Sequence, residues 1–235
     1  MFAHVRPGTH PRQDGCVDPA DAIVEDGLAL RRRADGHLEL RANGVFVMDT
    51  KETSTEKALA TRALELHPAP ARVLIGGLGL GFTLQAVLAD VRVERVTVVE
   101  IEARLVAWMR DGTVPHGPGL LAEPRVAVEV ADVAAVLRES AEGAYDIVLL
   151  DVDNGPGYLV HDANAALYEA PALRAAAQVT SAGGSVMVWS AAEAPELREA
   201  MARVFDTAEA LPYPVDLQGR AEAYWLYVGH VASRA

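Results

Sequence analysis

Residues 72–102 read RVLIGGLGLGFTLQAVLADVRVERVTVVEIE, and the fold is decided in this stretch. An apolar run, Val73 to Ile75, breaks into Gly76, Gly77, Gly79 and Gly81, and a helical pattern begins at Phe82. A second apolar run, Val96 to Val99, ends on Glu100, with Ile101 next. Strand, glycine turn, helix, strand and acid, in that order, is the arrangement of a nucleotide-type cofactor site. Glycines let the backbone pass close to a ligand where a side chain would collide. Glu100 falls nineteen residues after Gly81, where a carboxylate takes hydrogen bonds from ribose hydroxyls. No Lys-Ser/Thr pair follows the glycines, so ATP or GTP hydrolysis on a P-loop is excluded. Gly77, Gly79 and Gly81 are spaced GxGxG, tighter than the GxGxxG of dinucleotide sites. A turn this close favours a ligand without pyrophosphate, such as S-adenosylmethionine.

Outward from this stretch the chain keeps alternating. Strands are expected at 72–76, 95–100, 125–130, 145–151 and 184–189, with a weaker one near 205–211. Helices are expected near 82–90, 102–110, 132–140, 164–179 and 194–203. Such alternation means a parallel sheet covered on both faces, with strand carboxyl ends along the ligand-binding edge. The last run, Ala223 to Val231, leaves no room for a crossover helix and is expected to be antiparallel. Six parallel strands and an antiparallel last one make an α/β, Rossmann-like class I methyltransferase fold. Ahead of it, LALRRR, HLELRA and VFVMD, separated by Asp35-Gly36 and Asn43-Gly44, have the period of a small antiparallel meander. A helix from Thr53 to Leu66 follows, with Thr53 or Ser54 as N-cap and Glu56 in its first turn. The division expected is a disordered segment over 1–22, a β unit over 23–52 and a catalytic domain over 53–235.

The strand ends name the candidate site residues. Ala131-Asp132 follows the third main strand, where an acid can accept a hydrogen bond from an adenine amino group. Asp132 is equally suited to capping the next helix, and the two roles are compatible. The fourth strand runs into Asp151, with Asp153 and Asn154 behind it, in YDIVLLDVDNGPG. A carboxylate at Asp151 can take or orient the proton of an attacking nucleophile beside a sulfonium. Asp153 and Asn154 are candidates for the same chemistry, or members of a polar turn. Tyr158 and His161, in the loop beyond, could line a substrate pocket, as could Trp189 and Ser190 at the end of the fifth strand. The indole could pack on the substrate or the sulfonium, or in the core. Asn164 could line the pocket too, or cap the next helix.

These motifs resemble the spermidine synthase family, the aminopropyltransferase branch of the class I methyltransferase fold. VLIGGLGLGFTLQAVL is similar to its glycine motif, VTVVEIEARLVAWMR to its ribose-acid strand, and AYDIVLLDVDNGPG to its catalytic strand and loop. The run TSAGGSVMVWS and the meander also match. The resemblance implies that Glu100 holds the ribose, Asp132 the adenine end, and that Asp151 helps deprotonate an incoming amine. It also implies S-adenosylmethionine or its decarboxylated form as co-substrate, a small-molecule acceptor, and a possible homodimer. The family usually has an aspartate, a tyrosine and a His-Glu pair in the helix after the meander. Here that stretch is DTKETSTEKALATRALEL, without His or Tyr, so an altered acceptor pocket is expected. The alkyl chain could be transferred or could cyclise, releasing methylthioadenosine in either case. The alternatives are methyl transfer from S-adenosylmethionine to a small molecule, and a binder without catalysis. A cation-dependent O-methyltransferase would need a second Asp-Asn pair after the fifth strand, where this chain has VWSAAEA. No metal is therefore expected.

Bulk properties set the outer limits. With 235 residues the chain suffices for one α/β core and a small appendage. A hydrophobic content of 51% with only 6% aromatics describes an Ala/Val/Leu-packed globule. The net charge of −12 argues against a nucleic-acid-binding role, which needs clustered Lys and Arg. The lone Cys16 cannot make an internal disulfide, and His4 and His10 are read as solvent-facing bystanders. There is no apolar run of about 18 residues and no signal-peptide core, so no membrane association and a cytoplasmic setting are expected.

Overall fold

The computed structural model describes residues 22–217 and 220–233. The opening expected to be disordered over 1–22, with His4, His10 and Cys16, lies outside them except for Ala22, which belongs to the first strand. Two sheets organise the chain. The first is antiparallel, with β1 (Ala22–Glu25), β2 (Leu28–Arg32), β3 (Leu38–Ala42) and β4 (Val45–Asp49) in sequential order. Its turns use Asp26-Gly27 and Asn43-Gly44, each pair at positive φ, the geometry that a two-residue hairpin of matching twist requires. Within the β unit expected over 23–52 the strand pattern is visible only from residue 28, and the structure adds β1 in front. This strand is an edge whose Ile23 and Val24 are exposed, so it lacks the buried alternation that marks the other three.

A helix, α1 (Ser54–Leu66), then leads into the second sheet. That sheet contains β5 (Arg72–Gly76), β6 (Arg95–Glu100), β7 (Val126–Val130), β8 (Tyr145–Leu150), β9 (Thr180–Ser190), β10 (Thr207–Leu217) and β11 (Arg220–His230). Their order is β10-β11-β9-β8-β5-β6-β7. Strands β5 to β9 pair in parallel, and β11 is antiparallel to both β9 and β10. This is the expected methyltransferase-type arrangement, with β11 inserted as the reversed strand. Strand β10 extends well past residue 211, through Pro212 and Pro214. Both prolines sit on an edge strand, two residues apart and so on the same side, where missing donors cost least.

Alternate residues of the central strands feed two cores. Val73, Ile75, Ile147, Leu149, Met187 and Trp189 pack with α1, with α2 (Phe82–Leu88) and α3 (Ala103–Asp111), and with the small sheet. Leu74, Val148, Leu150, Val186 and Val188 face the other way, onto α5 (Val133–Glu139), α6 (Ala170–Val179) and α7 (Pro195–Ala202). A short α4 (Gly117–Leu121), not foreseen, precedes β7. The helix expected over 164–179 is two elements, a 3-10 segment at Asp162–Tyr168 and then α6. Pro171 explains the break. It has no N–H to give to the carbonyl four residues back, and its ring would strike that carbonyl.

Candidate functional site

The carboxyl ends of β5, β6 and β8 converge on one cleft of about 970 Å³, counted with its open mouth. Parallel pairing makes this inevitable. Asp151 N–H donates to the Gly76 carbonyl (2.8 Å) and Gly77 N–H to the Val99 carbonyl (2.8 Å), so three strand ends are laced side by side. Gly77 has φ +93°, and a Cβ there would run into the Asp151 carbonyl. At Gly79, φ +48°, a Cβ would strike the sulfur of Met48, which itself accepts the Leu80 N–H at 3.1 Å. The glycine turn is therefore clamped between β8 and the small sheet.

Glu100 is 7% exposed and lines the cleft. One carboxylate oxygen accepts from Leu78 N–H and the other from Glu102 N–H, both at 2.8 Å. Burial pushes its pKa up, and these amides pull it back. Each oxygen keeps a second lone pair with which to receive a hydroxyl. Ile101, Ala131 and Asp132 also line the cleft. Asp132 caps α5 through Ala134 N–H (2.8 Å), one of the two roles foreseen for it, and also lines the cleft.

At the other end stand two carboxylates. Asp151 accepts the Thr83 hydroxyl at 2.5 Å, and burial lifts its pKa to about 6. Opposite, Glu56 projects from α1, only 9% exposed, with the Thr55 hydroxyl 3.0 Å from its carboxylate. Burial and then the charge of Asp151 raise its pKa to about 7. Sequence reasoning missed Glu56, treating it as a first-turn helix acid. The signal was present: Glu56 lies three and four residues before Leu59 and Ala60, on the buried face of α1. Thr83, Met48, Phe82 and Glu102 line the same cleft and were also missed.

The remaining candidates divide. Asp153, at φ +53°, lines the cleft and accepts Val160 N–H (3.1 Å) through one oxygen, while the other is buried without a partner among the described residues. His161 lines it too, 3.3 Å from Glu102, and Asn164 and Trp189 complete that wall. The Trp189 indole N–H is buried and unpartnered among the described residues. Asn154 does not line the cleft. Its amide donates to the Phe46 carbonyl of β4 (2.8 Å) and its own carbonyl accepts Ala191 N–H (3.1 Å), so it fastens the loop. Tyr158, 60% exposed, stands outside. Ser190 is buried beneath Gly155 and bonds to the Ala192 carbonyl (2.7 Å). Gly76 and Gly81 shape the turn from behind it and do not border the cleft. Among the described residues, no group of three or more His, Cys, Asp or Glu side chains is placed to hold a metal, and no helix is long and apolar enough to cross a membrane.

Residues 40–210 match the family model of the spermine/spermidine synthase domain. The chain belongs to the spermine/spermidine synthase family. It is 29% identical over 207 residues to polyamine aminopropyltransferase 1 of Hyperthermus butylicus, covering 84% of this chain and 69% of that one. A polyamine aminopropyltransferase of Aeropyrum pernix is 33% identical over 115 residues, which is 46% of this chain and 37% of the relative. Putrescine N-methyltransferase 3 of Nicotiana tabacum is 32% identical over 119 residues, 51% of this chain and 30% of the relative. Of these last two, the match spans only about a third. A spermidine synthase solved with the transition-state analogue AdoDATO superposes with a TM-score of 0.75 at 19% identity, covering 91% of this chain and 73% of that one. The spermidine synthase of Thermotoga maritima gives 0.73 at 18%, covering 91% and 72%. These likenesses establish the fold, and the family is one of enzymes.

Proposed function

We propose that this enzyme moves the aminopropyl chain of decarboxylated S-adenosylmethionine onto an amine and releases methylthioadenosine. The observation that carries the reading is the pair of buried carboxylates, Glu56 and Asp151, at one end of the cleft. Glu100 would take the ribose hydroxyls, Ile101, Ala131 and Asp132 the adenine, and the backbone at Gly77 and Gly79 the approach to the sulfur. The acceptor nitrogen attacks the methylene carbon bonded to the sulfonium. The new C–N bond forms as the C–S bond breaks, and the electron pair stays on sulfur, which leaves neutral. The nitrogen sheds its proton to the carboxylate pair, with Asp151 the ionised partner at neutral pH.

Electrostatics favours the decarboxylated co-substrate. Six cleft-lining residues are acidic (Glu56, Glu100, Glu102, Asp132, Asp151 and Asp153) and none is Lys or Arg. Lys57, whose Nζ lies 5.4 Å from the centroid of the cleft-lining Phe82 ring, stands at the margin, and the six lining carboxylates favour an aminopropyl ammonium over a methionyl carboxylate. The acceptor pocket differs from the usual family pattern in that α1 offers Thr55 beside Glu56, without the family's tyrosine. A second reading, N-methylation by S-adenosylmethionine, is favoured by the likeness to putrescine N-methyltransferase.

Mass spectrometry of the products separates them. Incubation with decarboxylated S-adenosylmethionine and a panel of amines is expected to yield methylthioadenosine and an aminopropylated amine. S-adenosylhomocysteine as the product would establish the methyltransferase instead. Methylthioadenosine formed without any acceptor would mean that the chain's own nitrogen attacks and closes a ring.

A further inference from the structure

Thr83 is the residue through which α1 and the end of β8 meet inside the cleft. It is the second residue of α2, directly behind the glycine turn, and only 3% exposed. Its hydroxyl oxygen lies 2.5 Å from one carboxylate oxygen of Asp151 and 3.4 Å from the backbone carbonyl of Glu56. A hydroxyl carries a single proton, and the shorter, charge-assisted contact takes it. Among the described residues no other group hydrogen-bonds the Asp151 carboxylate, so its second oxygen is left without a partner. Glu56 has a hydroxyl of its own, from Thr55, but at the longer distance of 3.0 Å. The two carboxylates are therefore held unequally.

We propose that Thr83 is a positioning residue that assigns the base role to Asp151, its hydroxyl pinning one carboxylate oxygen and leaving the other free to receive the proton of the attacking amine. This deepens the function proposed above and rests on it. As nitrogen bonds to the methylene carbon and the C–S electron pair stays on sulfur, the proton passes from nitrogen to the free oxygen. Asp151 becomes neutral, and Thr83 keeps its partner because the pinned oxygen still accepts. Without that hydroxyl the carboxylate would hold a proton before any substrate arrived: burial raises Asp151, and the Thr83 bond draws it back. The other charged or titratable groups around it do not share this task. Glu56 from α1, Asp153 and His161 from the loop after β8, and Glu100, Glu102 and Asp132 beyond β6 and β7 line the same cleft. Lys57 of α1 stands over the Phe82 ring, and the Tyr168 phenol donates to the Val152 carbonyl. Among the described residues none of these donates to Asp151.

The test is the pH profile of kcat/KM for Thr83→Val in the full chain, which keeps the branched shape and removes the hydroxyl. Rates are read with decarboxylated S-adenosylmethionine and putrescine, or whichever amine of the panel reacts faster. The acid limb is expected to move up by about one pH unit, the effect of losing one hydrogen bond to a charged group. At the foot of the limb the variant should be about tenfold slower, and the deficit should shrink toward the plateau. Thr83→Ser should put the limb back. Thr83→Ala removes the same hydroxyl with less bulk and is read in its place if the valine chain does not fold. An unmoved limb overturns the proposal, as does a loss equal at every pH, which marks packing, or a serine variant that behaves like valine. Carbon-13 NMR of the aspartate carboxyl groups gives a reading that needs no turnover. The resonance absent from Asp151→Asn should titrate about one pH unit higher in Thr83→Val. A wild type that releases no methylthioadenosine with any amine overturns the proposed reaction. That resonance then judges Thr83 separately: its hold on Asp151 stands if the titration shifts, and falls if it does not.

Discussion

Asp151 and Glu56 reach the same corner of the cleft by different routes, and their proton affinities follow from that. Asp151 sits at a strand end under a Thr83 hydroxyl, while Glu56 is carried in on the apolar face of α1. Asp151→Asn keeps the shape and removes the charge; turnover is expected to fall on the order of 10²–10⁴-fold, while calorimetry should find methylthioadenosine binding retained. The pH profile should carry an acid limb. With Asp151 at about 6 and Glu56 at about 7, kcat/KM should rise through that interval as the pair loses protons. Stability should move in the opposite direction. An acid whose folded pKa is raised holds more protons folded than unfolded, so the fold loses stability as pH rises from the unfolded value through the folded one. Glu56→Gln should therefore stabilise the protein at pH 8 by about 1–3 kcal/mol and leave it nearly unchanged at pH 4, as urea titrations at the two pH values would report. Activity should persist in EDTA; loss restored by magnesium would require an oxygen-ligand cation site around Asp151 and Asp153. Residues announced by a strand end, such as Glu100, Asp132 and Asp151, were legible in the sequence because topology assigns strand ends to the ligand edge. Glu56 was not, since a first-turn helix acid normally serves the helix dipole. Asn154 and Ser190 misled for the converse reason: they lie beside the right edge but their hydrogen bonds hold the loop rather than face the cleft.

At the scale of elements, the loops after β6 and β8 lean toward each other across the glycine turn, and Glu102 and His161 meet at 3.3 Å where they do. A half-exposed pair of this kind is worth about 0.5–1 kcal/mol, so His161→Ala should speed methylthioadenosine dissociation roughly two- to fivefold. Stopped-flow displacement would measure this, and an unaltered off-rate would remove the pair from any part in retention. The alternation of β5, α2, β6 and α3 was readable to within a residue or two because both periodicities are strong and glycines mark the boundary. Among the elements that were not, three have a clear physical cause. Strand β1 has no buried alternation, β10 passes through two prolines that argue against a strand anywhere but on an edge, and the helix expected over 164–179 is cut at Pro171. In each case tertiary pairing or a local steric rule outweighed the pattern visible along the chain.

For the whole molecule, the decisive arrangement is that one wall of the cleft is foreign to the large sheet. Leu28, Leu40, Ala42, Val47 and Met48 all come from the small antiparallel sheet and face the glycine turn across the opening. Asn154 stitches the same sheet to the loop after β8, and Arg104 of α3 holds the β1–β2 turn through Glu25 at 2.7 Å. A nucleoside seated between these walls touches both sheets at once, so occupancy becomes a mechanical fastening as well as a chemical one. The linkage has a size: ligand at a hundred times its Kd stabilises the bound fold by about 2.7 kcal/mol. Methylthioadenosine should therefore raise the melting temperature with concentration, and backbone amides of β2 to β4 should exchange with deuterium more slowly in its presence. If those strands exchange at the same rate with and without the nucleoside, the small sheet does not grip it. If they slow, the N-terminal sheet is the part of the enzyme whose local unfolding governs how fast product escapes, and loosening its turns becomes a way to trade affinity for turnover.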